Sequence, residues 1–294
     1  MPFSVELPRE NEKWAVLGSA GMFGRQMFLT LEEQGKQVEG FSREDLLAEA
    51  KLEEVQERLG GSTFVINALA FTQVDDAEGD PNAANEVNGH FVGRLAKACE
   101  QAGALLFHVS TDYVFDGLSS DPYPVDAAAN PQTAYGRSKL LGEQAIKESA
   151  ADFTIFRTSW LYGKTGSNFP KTIANKLMAG QPVRVVADEF GSPTSAKDLS
   201  DLIMRYAELD RRPSIVHATA SGSCSWYEFA REIAISLNLD PDELVIPVSS
   251  VEFETLAKRP KYSVLDNTEG PIEPIGNWRE RWRAQSSEVL LGLQ

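Results

Sequence analysis

Short apolar segments recur along the chain and are separated by longer segments with helical periodicity. The apolar segments are rich in Val, Ile and Phe, which is typical of parallel strands covered on both faces. The predicted strands are residues 14–17, 64–68, 105–109, 153–156, 183–186 and 215–218, and the predicted helices are residues 24–34, 83–102 and 135–150. This alternation predicts the α/β class, with a doubly wound Rossmann-type parallel sheet.

A glycine-rich segment follows the first predicted strand and opens a helix, with the spacing G-x-x-G-x-x-G. In such a loop the glycines permit a tight turn, close approach of the backbone to a pyrophosphate, and close packing of helix on sheet. A plain glycine turn is the alternative, but the strand–turn–helix context favours dinucleotide binding. The predicted cofactor contacts in this loop are Gly18, Ala20, Gly21, Met22, Phe23 and Gly24.

The end of the second predicted strand, residues 38–41, bears on the choice of cofactor. An acidic residue at this place would bind the adenosine ribose 2'-hydroxyl, but Ser42 and Arg43 follow the strand instead. Because an arginine can accommodate a 2'-phosphate, we expect NADPH, with NADH as the alternative cofactor. A solvated loop arginine is the other interpretation of Arg43.

The regular alternation loosens after about residue 157, where Gly, Pro and Trp become frequent. We therefore predict an N-terminal extension at residues 1–13 and an NAD(P)-binding Rossmann domain at residues 14–157. Residues 158–294 are predicted to form mainly a smaller, irregular C-terminal substrate-binding lobe, with excursions back to the sheet. Ligands of such folds bind in the crevice beyond the carboxyl ends of the strands, so this lobe should close over the cofactor.

A candidate catalytic group combines a strand end with a helix. The segment Ser110-Thr111-Asp112 directly follows the strand at residues 105–109, and Tyr135 and Lys139 are four residues apart, on one face of a helix. An ammonium about 4 Å from the phenol would favour the phenolate by up to roughly 4 kcal/mol at an effective dielectric of ~20, which lowers the phenol pKa by about three units. Tyr135 would then donate a proton to a reduced carbonyl, and Thr111 would bind its oxygen. A surface Tyr-Lys pair on an amphipathic helix is the alternative.

Composition excludes several classes of function. The formal net charge of -15 opposes binding to nucleic acid, whose affinity for proteins comes chiefly from Lys and Arg. The N-terminal segment is polar and acidic, and no apolar run approaches the roughly 18 residues of a membrane span. Cys99 and Cys224 stand alone, without metal-ligand spacing. We expect a cytoplasmic protein with no metal site, no membrane partner and no nucleic-acid partner.

Several motifs resemble one family across most of the chain. The matching segments are residues 67–72 (NALAFT), 110–117 (STDYVFDG), 157–162 (RTSWLY), 191–194 (GSPT) and 259–266. With the glycine loop and the Tyr-Lys pair, they make the chain similar to the extended short-chain dehydrogenases/reductases, and among them to the dTDP-4-dehydrorhamnose reductase family. Departures from the family pattern occur at Met22-Phe23, Phe71, Val125 and Asp188-Glu189, and none removes a catalytic group.

The resemblance implies NAD(P)H-dependent reduction of the C4 keto group of dTDP-4-dehydro-L-rhamnose to dTDP-L-rhamnose, in nucleotide-sugar biosynthesis. It implies further cofactor contacts from Ala68, Ala70, Tyr135 and Lys139. The substrate contacts that it implies are Thr111, Asp112, Tyr113, Trp160, Asn168 and Arg259. Core packing is the alternative interpretation of Trp160.

Two other functions share these motifs. Another nucleotide-sugar enzyme, such as a different reductase, an epimerase or a dehydratase, is the first alternative. A dehydratase characteristically has Asp-Glu after the Thr, whereas Asp112-Tyr113 follows here, which favours reduction. A non-catalytic NADP-binding regulatory subunit of the same fold is the second alternative. The partners that the resemblance suggests are a second copy of the chain or the 3,5-epimerase of the same pathway.

Overall fold

A computed structural model describes residues 12–44, 56–57 and 59–291. Its strands are β1 Lys13–Leu17, β2 Gln37–Phe41, β3 Phe64–Asn67, β4 Leu105–Thr111, β5 Phe153–Thr158, β6 Leu161–Tyr162, β7 Val183–Val186, β8 Phe190–Gly191, β9 Thr194–Ser195, β10 Ile215–His217, β11 Ala220–Ser221, β12 Cys224–Ser225, β13 Val245–Val248 and β14 Ile275–Asn277. Its α-helices are α1 Met22–Glu33, α2 Val74–Gly79, α3 Pro81–Asn85, α4 Phe91–Ala102, α5 Ala134–Lys147, α6 Phe169–Met178, α7 Ala196–Ala207, α8 Trp226–Ser236, α9 Pro241–Leu244 and α10 Trp278–Val289.

The main sheet is parallel and has the strand order β10-β5-β4-β3-β1-β2. The order reverses between β1 and β3, so the loops after these strands diverge and leave a crevice at their carboxyl ends. The register aligns Leu17 with Asn67, and Asn67 with His108. The predicted doubly wound Rossmann-type fold is confirmed.

Each face of the sheet packs against its own core, because successive side chains of a strand point to opposite faces. On one face Trp14 stacks on Phe64 at 4.1 Å between ring centroids, and Phe107 and Phe156 continue this aromatic row. This core extends to α7 and to the C-terminal lobe. The opposite core joins alternate residues of the same strands, such as Leu17, to the buried face of α4.

One predicted strand lies outside the main sheet. Val183–Val186 forms a separate two-stranded parallel sheet with β13 in the C-terminal lobe. Val183 and Val185 are buried while Arg184 is exposed, so this strand is covered on one face only. An apolar segment of this length does not distinguish the two environments.

The other sequence predictions agree with the described elements, with local differences. The segment predicted as one helix at residues 83–102 consists of α3, a π-helical turn at Glu86–His90, and α4. β10 returns from the lobe region to the main sheet beside β5. The proposed domain boundaries stay predictions, and residues 1–11 of the predicted extension lie outside the described residues. Within the described part of the chain, no helix has the length and apolarity that a membrane span requires.

Candidate active site

The glycine loop connects β1 to α1 at the reversal point of the sheet. Gly18 has a φ of +79°, and its N–H donates to Phe41 O at 2.8 Å, which ties the loop to the end of β2. A Cβ on Gly18 would lie 2.8 Å from the Leu69 backbone nitrogen, and one on Gly24 would lie 2.1 Å from Gly18 O. Neither position admits a side chain, so the tight turn and close helix packing predicted for these glycines are present.

This loop fits a dinucleotide phosphate. Ala20 and Gly21 are exposed at the turn, and Gly21 caps α1 without a side-chain acceptor for the first helical N–H groups. The Phe23 side chain is buried in the core, which leaves its backbone for ligand contact. Met22 packs beside Gly163 and Gly166, so its side chain bridges the loop and the C-terminal lobe.

Four further predicted cofactor contacts lie after the ends of β2 and β3. Arg43 is exposed, with its guanidinium carbon 5.9 Å from the centre of the Phe71 ring. Ser42 precedes it directly after β2, and Ala68 and Ala70 lie on the segment that leaves β3, partly exposed. Arg43 is therefore available to a phosphate at this edge of the crevice.

The start of α5 brings Tyr135 to the end of β4. Thr133 caps the helix by accepting from Gly136 N at 3.0 Å, and Glu78 accepts from Ala134 N at 2.7 Å. A Cβ on Gly136 would lie 2.2 Å from Tyr113 O, so glycine allows the helix to approach the turn after β4. Tyr135 consequently forms a hydrogen bond with Thr111.

Lys139 is nearly fully buried and reaches β4. Its Nζ lies 2.7 Å from Val109 O and 3.3 Å from His108 Nε2, and burial lowers its pKa to about 8. Burial also raises the pKa of Tyr135 to about 12, against the effect of its hydrogen bond with Thr111. The prediction that Lys139 brings the Tyr135 pKa towards neutrality is therefore wrong for this arrangement, because desolvation dominates and the amine binds β4.

Asp112 and Tyr113 differ in their access to the crevice. Asp112 is buried, accepts from Thr111 Oγ1 at 3.0 Å, and has a pKa raised by burial to about 6. Its carboxylate thus positions Thr111, and the substrate contact that the resemblance implies for Asp112 stays a prediction. Tyr113 is half-buried, and the edge of its ring meets Tyr135 at 5.7 Å between centroids. Tyr113 remains a candidate substrate contact.

Trp160 lines the lobe side of the site. Its backbone is left-handed, with a φ of 47°, and its indole stacks on Trp226 with 3.4 Å between centroids and 5° between planes. A Cβ on Gly191 would lie 2.4 Å from the Trp160 ring, so glycine leaves room for the indole. The Trp160 side chain is partly exposed. Its packing and its availability to a ligand are therefore compatible.

A cleft of about 280 Å³ adjoins this pair of indoles. Apolar side chains from α6, β7 and α8 form its floor, and two arginines, Arg184 and Arg259, lie in its wall. Arg259 Nη2 is 2.6 Å from Asp75 Oδ2. Glu189 shares the cleft, and burial raises the pKa of its carboxyl above the usual value. The cleft can therefore receive a ligand with both apolar and anionic parts.

Asn168 does not face this cleft with a free amide. Its Oδ1 caps α6 by accepting from Lys171 N at 3.3 Å, and its Nδ2 donates to Gly163 O at 2.8 Å. The same Nδ2 lies 3.7 Å from Met22 Sδ. Both ends of the amide are engaged, so Asn168 connects the lobe to the glycine loop through Met22, and its predicted substrate contact stays a prediction.

Sequence reasoning missed several residues that support the site. Glu143 follows Lys139 by one helical turn and forms a buried bidentate ion pair with Arg157 of β5, at 2.7 and 2.9 Å. Ser110 donates to the same carboxylate at 2.7 Å. The continued four-residue spacing from Tyr135 through Lys139 to Glu143 was the available signal. Trp226 had no comparable signal, because its partner is distant in sequence.

Comparisons with known proteins agree over nearly the whole chain. Residues 13–293 match the model of the RmlD substrate binding domain. The spore coat polysaccharide biosynthesis protein SpsK of Bacillus subtilis is 36% identical, with 95% of this chain and 96% of that protein covered. The dTDP-4-dehydrorhamnose reductase of Mycolicibacterium smegmatis is also 36% identical, with 92% and 83% covered.

The fold agrees with a solved structure as well. The crystal structure of dTDP-4-dehydrorhamnose reductase from Bacillus anthracis in complex with NADP has a TM-score of 0.87 and 34% identity, with 92% of this chain and 96% of that chain covered. The match thus includes the Rossmann sheet and the C-terminal lobe. By family model, sequence and fold, the chain belongs to the RmlD family, the family of the dTDP-4-dehydrorhamnose reductases.

Proposed function

We propose that this protein is an NADPH-dependent reductase that converts the C4 keto group of dTDP-4-dehydro-L-rhamnose to the alcohol of dTDP-L-rhamnose. The observation that carries the proposal is the meeting of Thr111, Tyr135 and Lys139 at the end of β4, beside the glycine loop. Its family relatives support this reaction and this cofactor.

In this reaction reduced nicotinamide supplies a hydride to the C4 carbon, and the protein supplies the proton. The raised pKa of Tyr135 keeps its hydroxyl protonated, so it can donate that proton to the carbonyl oxygen. Thr111 donates its hydroxyl hydrogen to Asp112 in this structure, and it would redirect that hydrogen to the carbonyl oxygen when the substrate binds. Lys139 lies one helical turn from Tyr135, and we propose that it contacts the bound cofactor.

The cleft is the proposed position of the nucleotide-sugar. An indole suits the apolar face of a sugar, and the partly exposed Trp160 stacks on Trp226, which lines the cleft. Arg184 and Arg259 offer cationic groups for the diphosphate, which guanidinium binds through charge-assisted hydrogen bonds. Tyr113, at the edge of Tyr135, is proposed to contact the sugar next to the reacting carbon.

Replacing Trp160 tests this placement. Trp160→Ala should lower kcat/KM for the keto sugar by roughly tenfold or more while leaving the Kd for NADPH nearly unchanged, because it removes a proposed sugar contact and no proposed cofactor contact. The control Trp278→Phe changes a buried indole of the lobe away from the cleft and should leave kcat/KM unchanged. A large drop in Tm without a specific loss of kcat/KM would assign Trp160 to packing.

Replacing Arg43 tests the choice of cofactor. Its exposed guanidinium can form charge-assisted hydrogen bonds with a 2'-phosphate, so Arg43→Ala should lower kcat/KM with NADPH by roughly tenfold and preserve that with NADH. The exposed Arg25, on α1, provides the matched control Arg25→Ala, which should change neither. Equal losses with both cofactors would contradict the role of Arg43.

The reaction itself can be followed by nicotinamide absorbance. We expect NADPH oxidation when the protein is incubated with dTDP-4-keto-6-deoxyglucose and a 3,5-epimerase. A relative from Streptomyces niveus is named dTDP-4-keto-6-deoxy-D-glucose reductase, so the same incubation without epimerase tests that substrate. Tight NADPH binding without oxidation in either incubation would favour the regulatory alternative.

The same function has consequences for partners and location. We propose that the protein acts in the cytoplasm, where NADPH and nucleotide sugars are available. The homodimer and the complex with the 3,5-epimerase stay predictions. Sedimentation of the protein alone and mixed with the epimerase would distinguish them, because each complex has its own mass.

A further inference from the structure

A buried chain of hydrogen bonds links β3, β4 and α5 through a histidine outside the predicted catalytic group. His108 is fully buried on β4, with its Nδ1 3.0 Å from Asn67 Nδ2 and its Nε2 3.3 Å from Lys139 Nζ. Asn67 and His108 are register partners on adjacent strands, so the sheet itself fixes their side-by-side arrangement.

The direction of these hydrogen bonds follows from a peptide group. The backbone N–H of Leu69 can only donate, and it lies 3.1 Å from Asn67 Oδ1. The amide oxygen of Asn67 is thereby assigned, and its Nδ2 donates to Nδ1 of His108. A neutral imidazole carries one N–H, so the proton of His108 lies on Nε2. Burial holds the pKa of His108 well below its usual value, which agrees with a neutral ring.

The Nε2–H of His108 consequently points at the amine of Lys139. A neutral amine has a lone pair to accept this hydrogen and can still donate to Val109 O, at 2.7 Å. An ammonium has donors only, and its positive charge opposes a second N–H at this distance. Of the other titratable groups on α5, Tyr135 lies one helical turn before Lys139, and Glu143, one turn after it, raises the Lys139 pKa against the larger effect of burial. The carboxylate of Glu143 is bound by Arg157 of β5.

We propose that His108, oriented by Asn67, is a positioning residue that donates to Lys139 and favours the neutral amine over the ammonium. The inference deepens the proposed reductase function, since Lys139 belongs to its catalytic group. It adds a specific contact to the general effect of burial on this lysine. The catalytic amine would thus exchange its proton nearer to neutral pH than an ordinary lysine does.

The tautomer of His108 can be read by ¹⁵N NMR, without turnover. The sequence has 3 histidines, so the His108 signals are assigned by their loss in His108→Phe. We expect the proton of His108 on Nε2 at pH 7 in the wild-type protein. A proton on Nδ1 would overturn the proposal, whether or not the protein reduces a keto sugar.

The variant Asn67→Asp should reverse the direction of the hydrogen bonds that His108 forms with residue 67 and with Lys139. Its carboxylate still accepts from Leu69 N–H but also accepts from Nδ1, so the His108 proton moves to Nδ1 and Nε2 accepts from the ammonium. The titration midpoint of Lys139, followed by the ¹³Cε shift and assigned with Lys139→Arg, should rise by about one unit or more. The limb of the pH profile of kcat/KM that reports Lys139 should shift to higher pH with this midpoint.

The control Asn88→Asp separates this effect from added charge. Asn88 has a buried amide that donates to Ser138 Oγ at 2.9 Å and does not contact His108. Ser138 lies on α5, the helix that carries Lys139. Its carboxylate should leave the proton on Nε2, whereas Asn67→Asp should move it. An unchanged tautomer and an unchanged Lys139 midpoint in Asn67→Asp would refute the role of His108. If that variant does not fold, the wild-type tautomer decides alone.

Discussion

Tyr135→Phe should lower turnover of the keto sugar by about 100-fold or more, the scale of a positioned proton donor. The variant removes the hydroxyl that bonds Thr111 but keeps the ring that meets the edge of Tyr113. Binding of NADPH should therefore survive, and kcat should fall more than KM changes. Steady-state kinetics with a fluorescence titration of NADPH would measure both quantities.

A second tyrosine provides the control for this experiment. Tyr206 is buried on α7, where its ring packs against Phe156 of β5, and it belongs to neither the proposed catalytic group nor the lining of the cleft. Tyr206→Phe removes the same atom and should leave turnover within about twofold, because surface or core changes outside the site act mainly on stability. Turnover of Tyr135→Phe close to that of the wild type would remove Tyr135 from the reaction.

Glu143→Gln should be the most destabilising of the substitutions proposed here. Breaking a buried ion pair typically costs about 3–5 kcal/mol, since the remaining charge stays buried without its partner. Here the Arg157 guanidinium would keep only a neutral acceptor, with 3% of its side chain exposed. Melting followed by circular dichroism should show a Tm lower by roughly 10 °C.

Two comparisons show whether the lost charge is the cause. Glu86→Gln removes a carboxylate from an exposed pair with Arg94 and should cost less than about 1 kcal/mol. The double variant Glu143→Leu with Arg157→Met should regain much of the stability that Glu143→Gln loses, because no charge is left buried. Equal Tm losses in Glu143→Gln and Glu86→Gln would contradict the assignment of the buried pair as a clamp on α5.

The Glu143–Arg157 ion pair also makes the folding stability depend on pH. Burial raises the Glu143 pKa, but the bonds from Arg157 and Ser110 outweigh it and hold that pKa below the usual value. A carboxyl with a lowered folded pKa stabilises above its unfolded pKa, and this stability is lost as pH falls through the folded value. Wild type should therefore lose more stability than Glu143→Gln on acidification below about pH 4.5.

Much of the site was predictable from local sequence. The glycine spacing fixes the loop because Gly18 and Gly24 have no room for a Cβ, and this requirement is local to one strand–turn–helix unit. Thr111 is a strand end, and the Tyr135–Lys139 spacing defines one helix face. These signals depend on neighbours in sequence, so they hold before the tertiary structure is known.

The remainder depends on contacts between distant segments. The stack of Trp160 on Trp226 joins residues on different elements of the lobe, and no periodicity relates them. The spacing of Tyr135 and Lys139 places both side chains on one helix face. It does not predict how deeply they are buried or that the Lys139 amine donates to Val109 O. Consequently the sequence predicted correctly that Tyr135 and Lys139 share one helix face, but it predicted the pKa of Tyr135 wrongly. The prediction that Val183–Val186 belongs to the main sheet was wrong for the same reason, since its partner strand β13 is distant in sequence.

In the proposed reaction, this protein directs hydride from the nicotinamide to the keto carbon of a dTDP-sugar. Incubation with NADPH carrying deuterium in both positions at nicotinamide C4, dTDP-4-keto-6-deoxyglucose and a 3,5-epimerase tests it directly. We expect dTDP-rhamnose with one deuterium at sugar C4, in amounts equal to the NADPH consumed and dependent on Tyr135. NADPH bound but not consumed, or a product without deuterium at C4, would contradict the account.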